Sequence, residues 1–254
     1  MLSARFLAIA ALAALGIACH SGPPLAIDPK VSAYIPSGAT ILAGINLHQL
    51  RASPFYGQLP PAVSIFLEPL KDADSLLMAS DGNEYLVISR GNFRQAPAGT
   101  TVLEPGVAAT GTPGWLTAAQ HSSRSTGSAL LEHAQTVAAG NEIWIVAAGG
   151  ADLPVSGNAG NLNRLLHYTQ YTTLTARFAE RLELDATGVC ATADAARQLQ
   201  GTVQAFVTLS AAATQHQPQV FGLLKRIHVL LDANSIHVKL SADAADLATI
   251  LRMF

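Results

Sequence analysis

The sequence is poor in cysteine, in charge and in aromatic side chains. It contains two cysteines, 13% charged residues and 6% aromatic residues, whereas about 25% of residues are charged in an average soluble protein. Its lysines, Lys30, Lys71, Lys225 and Lys239, are scattered along the chain. A surface that binds nucleic acid needs clustered positive charge to contact phosphates. The sequence therefore argues against a nucleic-acid partner.

The sequence also lacks the short motifs that mark common enzyme and cofactor sites. It has no G-x-S-x-G, S-x-x-K, H-E-x-x-H, C-x-x-C, P-loop or G-x-G-x-x-G pattern. These patterns position nucleophiles, metal ligands and phosphate-binding amides. We therefore predict no cofactor and name no catalytic residue from sequence. An enzyme of this sequence would have to assemble its site from residues that only folding brings together.

The N-terminus has the pattern of an export signal. Arg5 supplies a positive charge, and Phe6 to Ala18 form an uninterrupted run of apolar residues and one glycine. A helix that spans a membrane needs about 20 such residues. The shorter run is typical of the apolar region of a signal peptide. We predict that residues 1–18 are a signal peptide, cleaved between Ala18 and Cys19.

The segment Leu15-Gly16-Ile17-Ala18-Cys19 resembles the lipobox of bacterial lipoproteins. The resemblance implies that Cys19 is acylated and anchors the mature chain in a membrane of the cell envelope. That family prefers leucine three positions before the cysteine, where this sequence has Gly16. Cleavage by an ordinary signal peptidase at the same bond would instead release an unanchored protein. In double-membraned bacteria, His20 after the cysteine implies the outer membrane, with the protein facing the periplasm.

Acylation of Cys19 would leave Cys190 without a partner in the chain. Free cysteines are among the most buried residue types, and Cys190 follows the apolar Val189. We therefore predict a buried structural thiol rather than a reactive one, and a fold without an intrachain disulfide.

The mature chain divides into two α+β halves. We predict a tether at 19–30, a first domain at 31–148, a linker at 149–160 and a second half at 161–254. The expected fold is α+β, with mostly antiparallel sheets and helices packed on one face. The sequence leaves open whether the halves are separate domains or share one sheet.

The first half predicts the order β-α-β-β-α-β, which is that of a ferredoxin-like split βαβ unit. An insertion at about 92–127 interrupts it. The predicted elements are a strand at Ile41–Leu47, a helix that begins with Ser53 as N-cap and Pro54 in its first turn, a hairpin around Asp81-Gly82-Asn83, a strand at Trp115–Ala119, a helix at Ala129–Ala139 and a central strand at Ile143–Ala147.

The second half predicts a strand, a long helix and a hairpin. Leu174, Ala176 and Phe178 alternate with polar residues, as in a half-buried strand. Thr192 is a suitable N-cap for a helix at Ala193–Ala213. The inward stripe of this helix is predicted to be Leu199, Val203, Phe206 and Val207. We predict a hairpin at 227–241. The apolar residues of its two strands lie on one face only if Leu231 pairs with Ile236 and Val229 with Val238.

Few residues are candidates for a functional site. His228 and His237 could share a metal ion, but Lys239 would lie opposite His228. We therefore favour a solvated strand face and predict no metal. Glu180, Glu183 and Asp185 could act as catalytic acids, yet their spacing also suits exposed positions. Trp144 is predicted to lie in the core, while Trp115, beside a long loop, is the candidate binding residue.

Two functional hypotheses follow. The first is an exported, lipid-anchored envelope protein whose sheet or loops bind a protein or an envelope polymer without catalysis. The second is an exported hydrolase whose site is assembled only in the fold. A flat or grooved sheet face would favour the first hypothesis, and a deep pocket with convergent histidine and carboxylate side chains would favour the second.

Overall fold

The computed structural model describes residues 26–59, 67–93, 97–121, 129–151, 167–243 and Asp246. The predicted signal peptide, Cys19 and most of the predicted linker at 149–160 lie outside these ranges. Residues 26–30, which the sequence assigns to the tether, already belong to the fold, since Ile27 is buried.

Ten strands and six helices make up the described parts of the chain. The strands are β1 (Ile41–Asn46), β2 (Ala73–Ser80), β3 (Tyr85–Gly91), β4 (Thr101–Glu104), β5 (Val107–Gly111), β6 (Ile143–Ala148), β7 (Tyr171–Phe178), β8 (Leu182–Val189), β9 (His228–Asp232) and β10 (Ser235–Ala242). The helices are α1 (Pro29–Ser32), α2 (Leu47–Ala52), α3 (Pro113–His121), α4 (Leu130–Ala138), α5 (Ala193–Ala213) and α6 (Pro218–Lys225). Two short 3₁₀ helices cover Tyr56–Gln58 and Glu68–Leu70.

The strands form one sheet in the order β4-β5-β3-β2-β1-β6-β7-β8-β10-β9. Every pairing is antiparallel. The predicted α+β class with antiparallel pairing is confirmed. The halves share the sheet, because β6 pairs with β7. The ferredoxin-like order is wrong, because β1 pairs antiparallel on both sides, with β2 and β6, whereas a split βαβ unit needs parallel neighbours.

Directly paired residues lie on the same face of a sheet, so the register defines two faces. Val146, Thr173, Thr187 and His237 pair in succession across β6, β7, β8 and β10, and we call their side the Val146 face. The opposite side is the Ile145 face, on which Ile145, Leu174, Ala186 and Val238 pair in the same way.

Helices of the first half cover the Val146 face. Val31 of α1, Trp115 of α3 and Ala134 of α4 are buried in one cluster with sheet residues. The sheet contributes Leu42, Leu77, Ile88 and Val146 to this cluster, among others. A predicted central strand is confirmed here, since β6 lies in the middle of the sheet and Trp144 is buried.

Helices of the second half cover the Ile145 face instead. Leu199 and Val203 of α5 pack against Ile236 of β10. Helix α6 contributes Leu223 to a neighbouring cluster, and α2 of the first half also packs on this face through Leu47 and Leu50. The sequence predicted helices on one face, and within each half the larger helices do share one face. The covered face is the Val146 face in the first half and the Ile145 face in the second.

Several local predictions for the second half are confirmed. Helix α5 covers Ala193–Ala213, and the Thr192 hydroxyl accepts a hydrogen bond from the Ala195 N–H at 3.1 Å. The last hairpin has the predicted register, with Leu231 opposite Ile236 and Val229 opposite Val238. Phe206 is an exception: it was expected to face inward, but it is 53% exposed.

Two predictions for the first half are wrong. Ser53 does not begin a helix: it ends α2, and its hydroxyl donates to the Leu50 carbonyl oxygen at 2.8 Å. The preceding helix begins directly after β1, because the Asn46 side chain caps it through the Gln49 N–H at 3.0 Å. Trp115–Ala119 is not a strand but part of α3, which begins with Pro113, a residue favoured in a first helical turn.

A close contact in the core gives a paired test of the packing. Gly44 of β1 lies under the Trp144 indole, and a Cβ there would come within 2.3 Å of ring carbons. We expect Gly44→Ala to lower the free energy of unfolding by about 1–3 kcal/mol, because the indole has to move. Gly201→Ala in α5 should raise it by about 0.5–1 kcal/mol, because that position has open space around it.

Urea denaturation of both variants measures these effects. Equal stability of the two variants would contradict the packing of Trp144 on Gly44.

Candidate functional site

The second half presents a strand face with no described helix upon it. Among the described helices that pack on the Val146 face, α4 reaches furthest toward the second half. It contacts β7, where His133 stacks on Tyr171 with the ring centroids 4.0 Å apart. Beyond that stack, the Val146 face continues across β7, β8, β10 and β9. We call this surface the open face. Its side chains include Thr175, Arg177, Glu183, Asp185, Thr187, His228, Leu230, Asp232, His237 and Lys239.

Four charged side chains of the open face are paired across neighbouring strands. Lys239 Nζ lies 3.3 Å from Asp185 Oδ2, and the Arg177 guanidinium donates to the Glu183 carboxylate. The hydrogen bond and charge of Glu183 raise the pKa of Arg177. Such exposed pairs contribute little to stability. They leave a nearly neutral surface, rich in hydrogen-bonding groups.

One cluster on the open face combines a hydroxyl, an imidazole and a carboxylate. Thr187 Oγ1 lies 3.0 Å from His237 Nδ1 and donates to Asp185 Oδ1 at 3.3 Å. Asp185 Oδ1 lies 3.9 Å from the same His237 Nδ1. In a catalytic triad the acid and the nucleophile contact different ring nitrogens. Here both approach Nδ1, so the arrangement is a polar network rather than a relay.

The two histidines considered as metal ligands lie where the register predicts. His228 pairs directly with Lys239, while His237 pairs with Leu230. Over the part of the chain that the structure describes, no group of three or more His, Cys, Asp or Glu residues is placed to hold a metal ion.

The three acidic residues considered as catalytic candidates do not converge. Glu180 and Glu183 are exposed, and Glu183 is held by Arg177. Asp185 is partly buried beside Lys239 and Thr187.

The two tryptophans both lie in the core of the first half. Trp144 is 4% exposed, as predicted. Trp115 is 9% exposed and packs in the same cluster, because it lies on the inner side of α3 rather than on a loop. A role of Trp115 in binding stays a prediction, and its burial gives that role no support.

A cleft of about 530 Å³ opens near the start of the described chain. Trp144 and Leu77 contribute to its lining, with Asp28 and Arg90 among the polar groups. Arg90 Nε donates to Asp28 Oδ2 at 3.0 Å, and its Nη1 donates to the Gly106 carbonyl oxygen at 3.0 Å. Because Arg90 is already bonded to Asp28, its charge is compensated before any ligand arrives. This ion pair ties the start of α1 to β3.

Cys190 is a buried thiol, as the sequence predicted. It follows β8, where its N–H donates to the Asn234 carbonyl oxygen at 2.9 Å. The Asn234 amide donates in turn to the Cys190 carbonyl oxygen at 2.8 Å. This reciprocal pair fixes the turn of the last hairpin against the end of β8. Burial raises the pKa of the Cys190 thiol, which disfavours the reactive thiolate.

We expect native Cys190 to react slowly with a soluble maleimide, even as the pH is raised through the usual thiol range. In urea the same thiol should react rapidly, because unfolding exposes it and restores its ordinary pKa. Mass spectrometry of the Cys19→Ser chain measures both rates. Fast labelling of the native protein would contradict the buried position.

Comparison with known proteins shows the fold alone. No family model matches the sequence, and no curated protein matches it. Crystal form III of TP0453 is similar in structure, with a TM-score of 0.53, 8% sequence identity, and coverage of 90% of this chain and 99% of that chain. Crystal form I of the same protein has a TM-score of 0.49 at 9% identity, over 89% of this chain and 98% of that chain. At such identity the likeness supports a shared architecture and no activity.

Proposed function

We propose that this chain is an exported, lipid-anchored envelope protein that binds a partner through its open face, without catalysis. The observation that carries the proposal is the reversal of the helix-covered face between the halves, which leaves the polar side of β7, β8, β10 and β9 without a helix among the described residues. A flat, hydrogen-bonding sheet face suits a protein partner or an envelope polymer.

The anchor would hold the module close to the membrane. Residue 26, where the described fold begins, lies seven positions after Cys19, and a fully extended chain spans at most about 3.6 Å per residue. Acyl chains on Cys19 would therefore keep the fold within about 25 Å of the bilayer surface. The fold is attached firmly to that tether, since the Ile27 N–H donates to Gln135 Oε1 at 3.0 Å.

Attachment through lipid is compatible with the helices of the structure. Within the described ranges, no helix is both long and apolar enough to cross a membrane. If the organism has two membranes, His20 supports placement in the outer membrane, facing the periplasm.

The chemistry of the open face indicates the kind of partner. Its cations are already paired with carboxylates, so a strongly anionic partner gains little attraction there. Hydroxyl and imidazole groups remain to donate and accept hydrogen bonds, as Thr175, Thr187 and His237 do within the face. This composition favours a polar, weakly charged surface such as a protein or a glycan.

The alternative, an exported hydrolase, has one observation in its favour: the Thr187–His237–Asp185 network. A nucleophile needs a base on one ring nitrogen and an orienting acid on the other, and this network offers only Nδ1. It also lies on an open strand face rather than in a water-excluding pocket. The geometry therefore supports binding better than hydrolysis.

The anchor is tested at Cys19. We expect mass spectrometry of the mature N-terminus to find acylated Cys19, and the Cys19→Ala protein to leave the membrane fraction. The matched control is Cys190→Ala, which should remain in the membrane fraction because that thiol is inside the fold. An unmodified Cys19, or a Cys19→Ala protein that stays in the membrane, would overturn the anchor.

The open face is tested by photo-crosslinking in the cells of origin. A photoreactive amino acid at Lys239, exposed on the open face, should give adducts with an envelope component. The same amino acid at Gln204, exposed on α5 over the opposite face, should not. Adducts from Gln204 alone, or from neither position, would contradict binding through the open face.

A further inference from the structure

The strand at one end of the sheet has the features of an interface. Among the described strands, β9 has a neighbour on one side only. Leu230 is 51% exposed and Leu231 is 38% exposed, one on each face of the strand. Edge strands usually carry charges or proline where they could pair with another chain. Two exposed leucines in the middle of an edge strand are instead what a paired strand presents.

The sequence of β9, His-Val-Leu-Leu-Asp, is complementary to itself in the antiparallel direction. If Leu230 lies opposite Leu230 of a second copy, Val229 lies opposite Leu231 and His228 opposite Asp232. An imidazole N–H, in the neutral or the protonated form, donates to a carboxylate. The charge of Lys239, the neighbour of His228 on β10, is paired with Asp185 and does not oppose this contact.

The hydrogen-bonding pattern of the hairpin is compatible with this register. Asp232 and Ser235 flank the two-residue turn, so they exchange backbone hydrogen bonds, as do Leu230 and His237 two positions further on. The N–H and C=O groups of Val229 and Leu231 therefore point away from β10. Pairing centred on Leu230 brings these outward groups opposite each other, and it also pairs His228 with Asp232.

We propose that β9 pairs antiparallel with β9 of a second copy of this chain, so that the two sheets become continuous. The two-fold axis of such a pair is perpendicular to the sheet, so both open faces lie on the same side. A dimer therefore doubles the area of the open face.

The interface is small. A standard stable interface buries about 1,200–2,000 Å² of accessible surface, and pairing of five residues from each copy buries less than that. The dimer is therefore expected to depend on protein concentration and to dissociate on dilution.

Cysteine crosslinking tests the register directly. Opposed residues of a non-hydrogen-bonded pair have Cα atoms about 4.5 Å apart, a distance that a disulfide spans. Purified full-length Leu230→Cys protein should therefore give a disulfide dimer under mild oxidation, with a yield that rises with concentration. The matched control is Leu231→Cys, also exposed, whose two copies would be diagonal neighbours about 7–8 Å apart and should crosslink poorly. The unchanged chain, in which Cys19 could also form a disulfide, gives the background level of crosslinked dimer.

A charge exchange tests the complementarity. In the Leu230→Cys background, His228→Asp places two carboxylates opposite each other and should reduce the crosslinked fraction severalfold. Adding Asp232→His should restore it. Equal crosslinking of Leu230→Cys and Leu231→Cys, or no dimer above the baseline at any concentration, would overturn the proposal. Neither result would bear on partner binding at Lys239, which is measured separately.

Discussion

The antiparallel pairing of β6 with β7 is the constraint on which the rest of the structure depends. Paired residues must share a face, so the register Val146–Thr173 continues the helix-covered face of the first half into polar residues of the second. The apolar positions of β8 and β10, such as Leu184 and Ile236, then lie on the other face and need their own cover, which α5 and α6 supply. One sheet thus acquires two cores on opposite sides.

This arrangement relates the architecture to the proposed function. A sheet covered on both faces throughout would offer a partner only its loops and helix surfaces. Here, in the part of the chain that the structure describes, no helix covers the Val146 face of the sheet beyond the His133–Tyr171 stack. The Asp28–Arg90 ion pair and the Ile27–Gln135 hydrogen bonds fix the incoming chain to the first half, and the open face lies on the second. The proposed anchor and the proposed binding surface would therefore lie at separate regions of one sheet.

Local patterns predicted the second half well and the first half less well. Thr192 and the alternating residues of the last hairpin each have one good structural solution, so α5 and the β9–β10 register follow from sequence. The predictions from Ser53-Pro54 and Trp115 were wrong for two reasons. Asn46 already caps a helix upstream of Ser53, and Pro113 begins a helix that includes the predicted strand Trp115–Ala119. The open face could not be predicted, because it depends on which strands pair across 148–171 rather than on any local motif. His228 and His237 were considered together as metal ligands and Asp185 as an acid, but only the strand pairing brings His237 and Asp185 to Thr187.

The reversal of the covered face is tested most directly by the accessibility of two adjacent residues on β10. In the Cys19→Ser chain, Lys239→Cys places a thiol on the open face, and Val238→Cys places one under α5. We expect a soluble maleimide to modify Lys239→Cys many times faster than Val238→Cys in the native protein, and we expect urea to remove the difference. Equal native rates, or faster modification of Val238→Cys, would contradict it.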